Sequence, residues 1–195
     1  YAAFFAGKGL PCVIADAFAL HEVRQCLTDQ TLLHDDDLLA RAFDAVLRLK
    51  NAAGVTRVGI MGVSKGGFAA LHAAFRLPRF PAAPCFAFHI ALSPPVTFQL
   101  RNPEALGGPV LMLLAEKDDF TPAAPAIEYA RRIREANRAL FLDCRVVPDA
   151  HHAWESRGEV RWLDTAERYD HCCFLLEDDG TVTDTATGQN MDKYA

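Results

Sequence analysis

The chain has 195 residues, 51% of them hydrophobic and 23% charged, with a formal charge of −5. That is enough chain for one domain with a sizeable core, and the acidic balance gives no basis for a nucleic-acid or anionic-membrane partner. No apolar run is long enough to span a bilayer, and no segment has the charged start, apolar middle and small-residue cleavage site of a signal peptide.

The chain opens Tyr1-Ala2-Ala3-Phe4-Phe5-Ala6-Gly7, without a methionine. This reads as the second half of a helix with a glycine C-cap, and the natural chain is expected to extend upstream. PCVIADA (11–17) reads as a short apolar strand. DDDLLARAFDAVLRLKNAAG (35–54) carries apolar residues at helical spacing, acidic residues where the helix dipole favours them, and Gly54 as a stop. RVGIMGV (57–63) is the next strand, and a small-residue helix follows from Gly67 to about Phe75, ended before Pro78. CFAFHIALS (85–93) and the run inside GGPVLMLLAEKDD (107–119) are further strands. PAAPAIEYARRIREAN (122–137) is a helix with proline near its first position. DCRVVPDA (143–150) is a strand and EVRWLDTAERY (159–169) a closing helix. CFLLEDDGTVTD reads as a hairpin on an Asp-Gly turn. Alternating apolar strands and amphipathic helices imply an α/β fold with a mostly parallel sheet covered by helices on both faces. No repeat or linker divides the chain, so residues 1–195 read as one domain.

In an open α/β sheet, functional groups gather beyond the carboxyl ends of the strands. Three strand ends here carry matching chemistry. Gly62-Val63-Ser64-Lys65-Gly66 joins a strand to a helix, the pattern of a nucleophile elbow. The strained turn demands small residues on both sides, lifts the Ser64 hydroxyl clear of the backbone, and offers the Lys65 N–H to an oxyanion. As a plain glycine-rich turn, the same residues would carry an incidental serine. After the strand VLMLL comes Glu116-Lys117-Asp118-Asp119-Phe120-Thr121-Pro122. A carboxylate there suits the N–H of an imidazole; Asp118 is read as that acid and Asp119 as part of the loop, with Asp119 or Thr121 also fit to cap the next helix. After the last strand come His151 and His152, either one a general base of near-neutral character. The chain order Ser, Asp, His is the α/β-hydrolase order.

With these residues in place, the sequence resembles the dienelactone hydrolase family over about Tyr1 to Trp154. The stretches that carry the resemblance are VIADAF, RQCLTDQ, VGIMGVSKGG, FAFHIAL, PVLMLLAEKDDFTPAAP and PDAHHAW. The resemblance implies an α/β-hydrolase fold without its N-terminal strands, with Ser64 as nucleophile, Asp118 as acid and, of the two histidines, His152 as base. It implies cleavage of a small carboxylic ester or lactone through an acyl-enzyme, with no cofactor or metal. The same triad also serves acyl transfer and thioester or peptide cleavage, and an inactive fragment or non-catalytic scaffold is the remaining alternative.

The chain departs from the family pattern in three places. The namesake enzymes use cysteine where this chain has Ser64. They hold a substrate carboxylate with an arginine where this chain has Ser156, with Arg157 next to it. The family's second oxyanion donor comes from a loop after a third strand that is not in this sequence. In the family's sheet order that strand lies between PCVIADA and RVGIMGV, so a gap or rearranged pairing is expected in the sheet. Phe18, Trp154 and Arg157 are candidate pocket residues.

Other residues read as structural. His21, His34, His72 and His89 lack convergent partners at metal-ligand spacing, and His89, inside a strand, reads as a satisfied buried histidine. His171-Cys172-Cys173 would chelate poorly, because adjacent strand residues face opposite ways. Cys12, Cys85 and Cys144 fall in strand-like runs as small hydrophobes. Cys26 with Cys172 or Cys173 is a possible disulfide in an oxidising compartment.

Overall fold

A computed structural model describes residues 1–52, 55–156, 158–168 and 171–191. The main sheet has four strands, all parallel: β1 (Ile60–Val63), β2 (His89–Leu92), β4 (Val110–Ala115) and β5 (Leu142–Val147), side by side in that order. A second, three-stranded sheet places β6 (Phe174–Leu176) between β3 (Phe98–Leu100), which it meets in parallel, and β7 (Val182–Asp184), which it meets antiparallel. The β6–β7 hairpin turns through Asp179 and Gly180, whose φ of +87° suits glycine. The sequence reading missed β3: three residues give no period-2 signal, and its partner lies more than seventy positions away.

Helices α1 (Ala2–Ala6), α2 (Asp35–Asn51), α3 (Lys65–His72) and α4 (Ala123–Ala136), with short 3-10 turns at Phe18–His21 and Gln30–Leu32, complete the elements among the described residues. Asp35, Asp36 and Asp37 fill the first turn of α2, as read from the sequence, and Arg48 and Lys50 its last turn. Gly54, the expected stop, lies outside the described residues. Buried residues of α2, α3 and α4 share one core with alternate residues of the sheet. Leu39, Phe43 and Val46 meet Ala70, Leu71, Tyr129, Ile133, Val110, Met112 and Leu114. The intervening strand residues Ile90, Leu111 and Leu113 are half-buried. No helix among the described residues is long and apolar enough to cross a membrane.

Two expected elements do not form. Residues 11–17 are not a strand: Val13 and Ile14 are exposed and only Ala17 is buried. A strand exists by pairing, and no described strand pairs with this segment, while β1 stands at the edge of its sheet. The sheet therefore ends at β1, and the strand across from which a gap was expected does not form. Residues 159–168 are not helical either. Val160, Trp162 and Leu163 are exposed, so a helix there would bury no apolar stripe. The segment is instead drawn onto the loop before α2: Glu167 N–H donates to Leu27 O (2.7 Å), and its carboxylate accepts from Gln30 N–H (2.7 Å).

The cysteines also differ from expectation. All six are free. Cys12 and Cys85 are exposed rather than packed, and Cys26 is buried against Ala17 and Leu33.

Candidate active site

The parallel register brings the ends of β1, β2, β4 and β5 to one rim of the sheet. Val63 pairs with Leu92, Leu92 with Leu113, and Ala115 with Val147. Ser64, Ser93, Asp118 and His152 all follow these ends in the chain.

Ser64 occupies the turn between β1 and α3 with φ +53° and ψ −121°, a conformation costly for a residue with a side chain. The surrounding structure holds it there. Its N–H donates to Leu92 O (2.9 Å), and its C=O accepts from Phe68 N–H (2.9 Å) in the first turn of α3. The glycines divide the work differently from the sequence reading. A Cβ on Gly62 would stand 1.9 Å from Gly66 O, and one on Gly67 would stand 2.6 Å from Leu92 O. A Cβ on Gly66 would meet nothing within 4 Å. The close approaches therefore demand Gly62 and Gly67, while Gly66 is not sterically required. The Lys65 N–H heads α3 and has no acceptor among the described residues.

His152 joins serine to carboxylate. Its Nε2 lies 3.0 Å from Ser64 Oγ, and its Nδ1 lies 2.9 and 3.1 Å from Asp118 Oδ2 and Oδ1. A carboxylate only accepts, so Nδ1 carries the proton and the Nε2 lone pair faces the serine hydroxyl. The Asp118 side chain is fully buried. Burial raises its pKa, but the bonds and charge of His152, with those of Thr121, outweigh that and hold the carboxyl below its ordinary range.

Asp118 is itself positioned by the loop it begins. Its Oδ1 accepts from Phe120 N–H (3.0 Å) and Thr121 N–H (2.8 Å), and its Oδ2 accepts from the Thr121 hydroxyl (2.9 Å). That hydroxyl also reaches Ser93 O (3.2 Å) and lies 3.1 Å from His152 Nδ1. Thr121 thus links the ends of β2 and β4 to the histidine. The sequence reading gave Thr121 only a capping role. Pro122 is the residue that precedes α4, and no side chain caps that helix. Two bonds brace the loop that carries His152: Asp149 N–H to Glu116 Oε2 (2.8 Å), and Lys117 N–H to Ala150 O (2.7 Å). Glu116 carried no signal in the sequence beyond its place after β4.

The remaining candidates are distributed less tightly. Asp119 turns away to Arg168 (3.3 Å), the loop role expected of it. Phe120 packs its ring 5.0 Å from that of His152. Trp154 is half-buried, with its Nε1 buried and unpartnered among the described residues. Phe18 packs on the small cluster of Ala17, Cys26 and Leu33 and has no contact with the Ser64–His152 pair among those described. Arg157 lies outside the described residues. His89 is buried, with Nδ1 bonded to Ala70 O (3.0 Å) but Nε2 unpartnered, so it is only half satisfied. Among the described residues, no three His, Cys, Asp or Glu side chains gather as a metal site.

The model of the dienelactone hydrolase family matches residues 12–171, which is most of the chain. The chain belongs to the dienelactone hydrolase family. No curated protein matches it. Among solved structures it is similar to a predicted CIB-like hydrolase from Thermoplasma acidophilum, at 22% identity and a TM-score of 0.41 over 59% of this chain. It is also similar to a variant of SOBER1 from Arabidopsis thaliana (18% identity, TM-score 0.46, 62% of this chain) and to an alpha-beta serine hydrolase homologue from Coxiella burnetii (19%, 0.44, 62%). The matches cover 51%, 59% and 52% of those three chains, respectively.

Proposed function

We propose that this chain carries the catalytic centre of a serine hydrolase that cleaves small carboxylic esters or lactones. The observation that carries the reading is the continuous line from Asp118 through His152 to Ser64, with both bonds at about 3 Å. Ser64 Oγ attacks the substrate carbonyl and passes its proton to His152 Nε2. The carbonyl oxygen becomes an oxyanion that accepts from the Lys65 N–H at the head of α3. As the tetrahedral species collapses, the ester C–O bond breaks, and the departing alkoxide takes the proton from Nε2 and leaves as an alcohol. Water then gives a proton to Nε2, attacks the acyl-enzyme and releases the acid, returning the proton to Ser64. For a lactone, the alcohol and acid are two ends of one product. Asp118 holds the protonated imidazole in place throughout.

The test is turnover of p-nitrophenyl acetate and of dihydrocoumarin by the chain and by Ser64→Ala. Hydrolysis of either substrate that falls at least a thousandfold in Ser64→Ala supports the reading. Turnover that survives in Ser64→Ala, or is absent from the folded chain, contradicts it.

A further inference from the structure

The bonds made by Glu167 and Arg168 close a ring through the triad. Beyond the histidine loop the chain is exposed at residues 158–165 and half-buried at 166–168, where it is tied down on two sides. On the serine side, Glu167 N–H donates to Leu27 O (2.7 Å), Gln30 N–H donates to the Glu167 carboxylate (2.7 Å), and the Gln30 side-chain amide donates to Glu167 O (2.9 Å). Gln30 O in turn accepts from Lys65 Nζ (3.3 Å), and Lys65 follows Ser64 in the chain. On the carboxylate side, Arg168 Nη1 donates to Asp119 Oδ2 (3.3 Å) and Asp119 O (3.4 Å). Asp119 follows Asp118, which holds His152 against Ser64. Glu167 and Arg168 are neighbours, so the two sides join, and the path from Ser64 round to His152 closes with a peptide or hydrogen bond at every link.

The two ties differ in strength. Three hydrogen bonds fix Glu167, and Gln30 begins a short turn that Asp29 caps. Arg168 is held by one ion pair, its side chain 24% exposed and that of Asp119 54% exposed. A pair this exposed adds little to folding, so breaking it should leave the fold intact. Trp162 stacks on the guanidinium, 4.1 Å from ring centroid to Cζ, and keeps it in place over Asp119. One peptide unit and one arginine side chain therefore bridge the serine and carboxylate sides of the site.

We infer, on the reading that Ser64 is the nucleophile, that residues 167–168 are a strap that sets the size of ester the site accepts, with Arg168 as the specificity-determining residue. The substrate carbonyl meets two groups on the ring, Ser64 Oγ and the Lys65 N–H. Short substituents on that carbonyl fit inside the ring, and a long one runs into the strap. Selectivity of this kind comes from a clash with the wrong substrate rather than from a new contact with the right one.

The test compares kcat/KM for p-nitrophenyl acetate with that for p-nitrophenyl octanoate, long in its acyl half, and n-octyl acetate, long in its alcohol half. The parent chain should prefer p-nitrophenyl acetate. Arg168→Ala should raise kcat/KM for one of the long esters at least tenfold, and the ester that gains identifies the half that faces the strap. Arg168→Lys, which keeps a cation toward Asp119, should gain far less. Asp119→Ala breaks the same pair from its other side and should give a similar gain, with no further gain in the double variant. General damage to the fold does not speed a long substrate. Should Arg168→Ala fail to fold, Asp119→Ala carries the comparison. A parent chain that already turns over the long esters as well as p-nitrophenyl acetate would overturn the inference alone. So would folded variants in which neither long ester gains. No turnover of p-nitrophenyl acetate by the folded parent chain would overturn it together with the assignment of Ser64.

Discussion

Lys65 Nζ stands 2.7 Å from Leu33 O, 3.3 Å from Gln30 O and 3.4 Å from Asp35 Oδ1. The residue after the elbow serine therefore ties the loop before α2 to the head of α3, apart from anything its backbone N–H does. Burial pushes the Asp35 carboxyl up, and Lys65 opposes that shift. Lys65→Met keeps the N–H and removes the clamp. It should destabilise the chain by about 1–3 kcal/mol, the usual penalty for leaving buried polar groups unpaired. Adding Asp35→Asn should recover part of the loss. Urea unfolding of the two single variants and the double variant measures both effects, and additive losses would mean the two residues are uncoupled.

The elbow glycines separate cleanly. Gly62→Ala drives a Cβ into the Gly66 backbone, and Gly67→Ala drives one toward Leu92 O. Both should unfold the chain or cost several kcal/mol, because backbone cannot yield as a flexible side chain does. Gly66→Ala meets open space inside a helix, where alanine is favoured by about 1 kcal/mol. It should be neutral or stabilising in a thermal melt. A loss of stability there equal to that of Gly62→Ala would contradict the packing described.

Thr121 is predicted to be a positioning residue. Thr121→Val keeps the shape and removes the hydroxyl that spans Ser93, Asp118 and His152. A hydrogen bond to a charged group is worth about 1.5–3 kcal/mol, so kcat should fall by about tenfold to a hundredfold with KM little changed. Thr121→Ser should restore most of it. Equal losses in the two variants would assign the effect to packing.

Stability should fall with acid well before the carboxylates titrate. Burial lowers the pKa of His72 and of His89 from 6.5 to about 4. Below pH 6.5 the unfolded chain takes up protons that the folded chain refuses. The stabilising effect is thus whole above pH 6.5 and is lost progressively down to about pH 4. The slope from the pair should approach ~2.7 kcal/mol per pH unit, twice the single-group value of ~1.36. The lowered Asp118 pKa acts in the same direction in a more acidic window, where its stabilising effect is lost as pH falls through the folded pKa. Urea midpoints from pH 7 to pH 4 measure the first slope, and His89→Leu should roughly halve it. A flat profile would mean the two rings are hydrated.

Local chemistry was legible in the sequence, and long-range pairing was not. Ser64, Asp118 and His152 each follow a run apolar enough to be a strand, and a parallel sheet brings such ends together. The same argument misled at residues 11–17, where an apolar run looks like a strand but has no ladder to join. Residues 159–169 also misled: read as a closing helix, the described part (159–168) has no surface to cover, so bonds from Glu167 to Leu27 and Gln30 prevail. Thr121 was hidden because its partners Ser93 and His152 lie 28 and 31 residues away.

The central claim is that Ser64 is an activated nucleophile. Intact mass after exposure to a fluorophosphonate probe tests it most directly, with Ser64→Ala and His152→Ala alongside. One adduct, absent from Ser64→Ala and slowed in His152→Ala, is the predicted result. No adduct on the folded chain, or an adduct that persists in Ser64→Ala, would contradict the account.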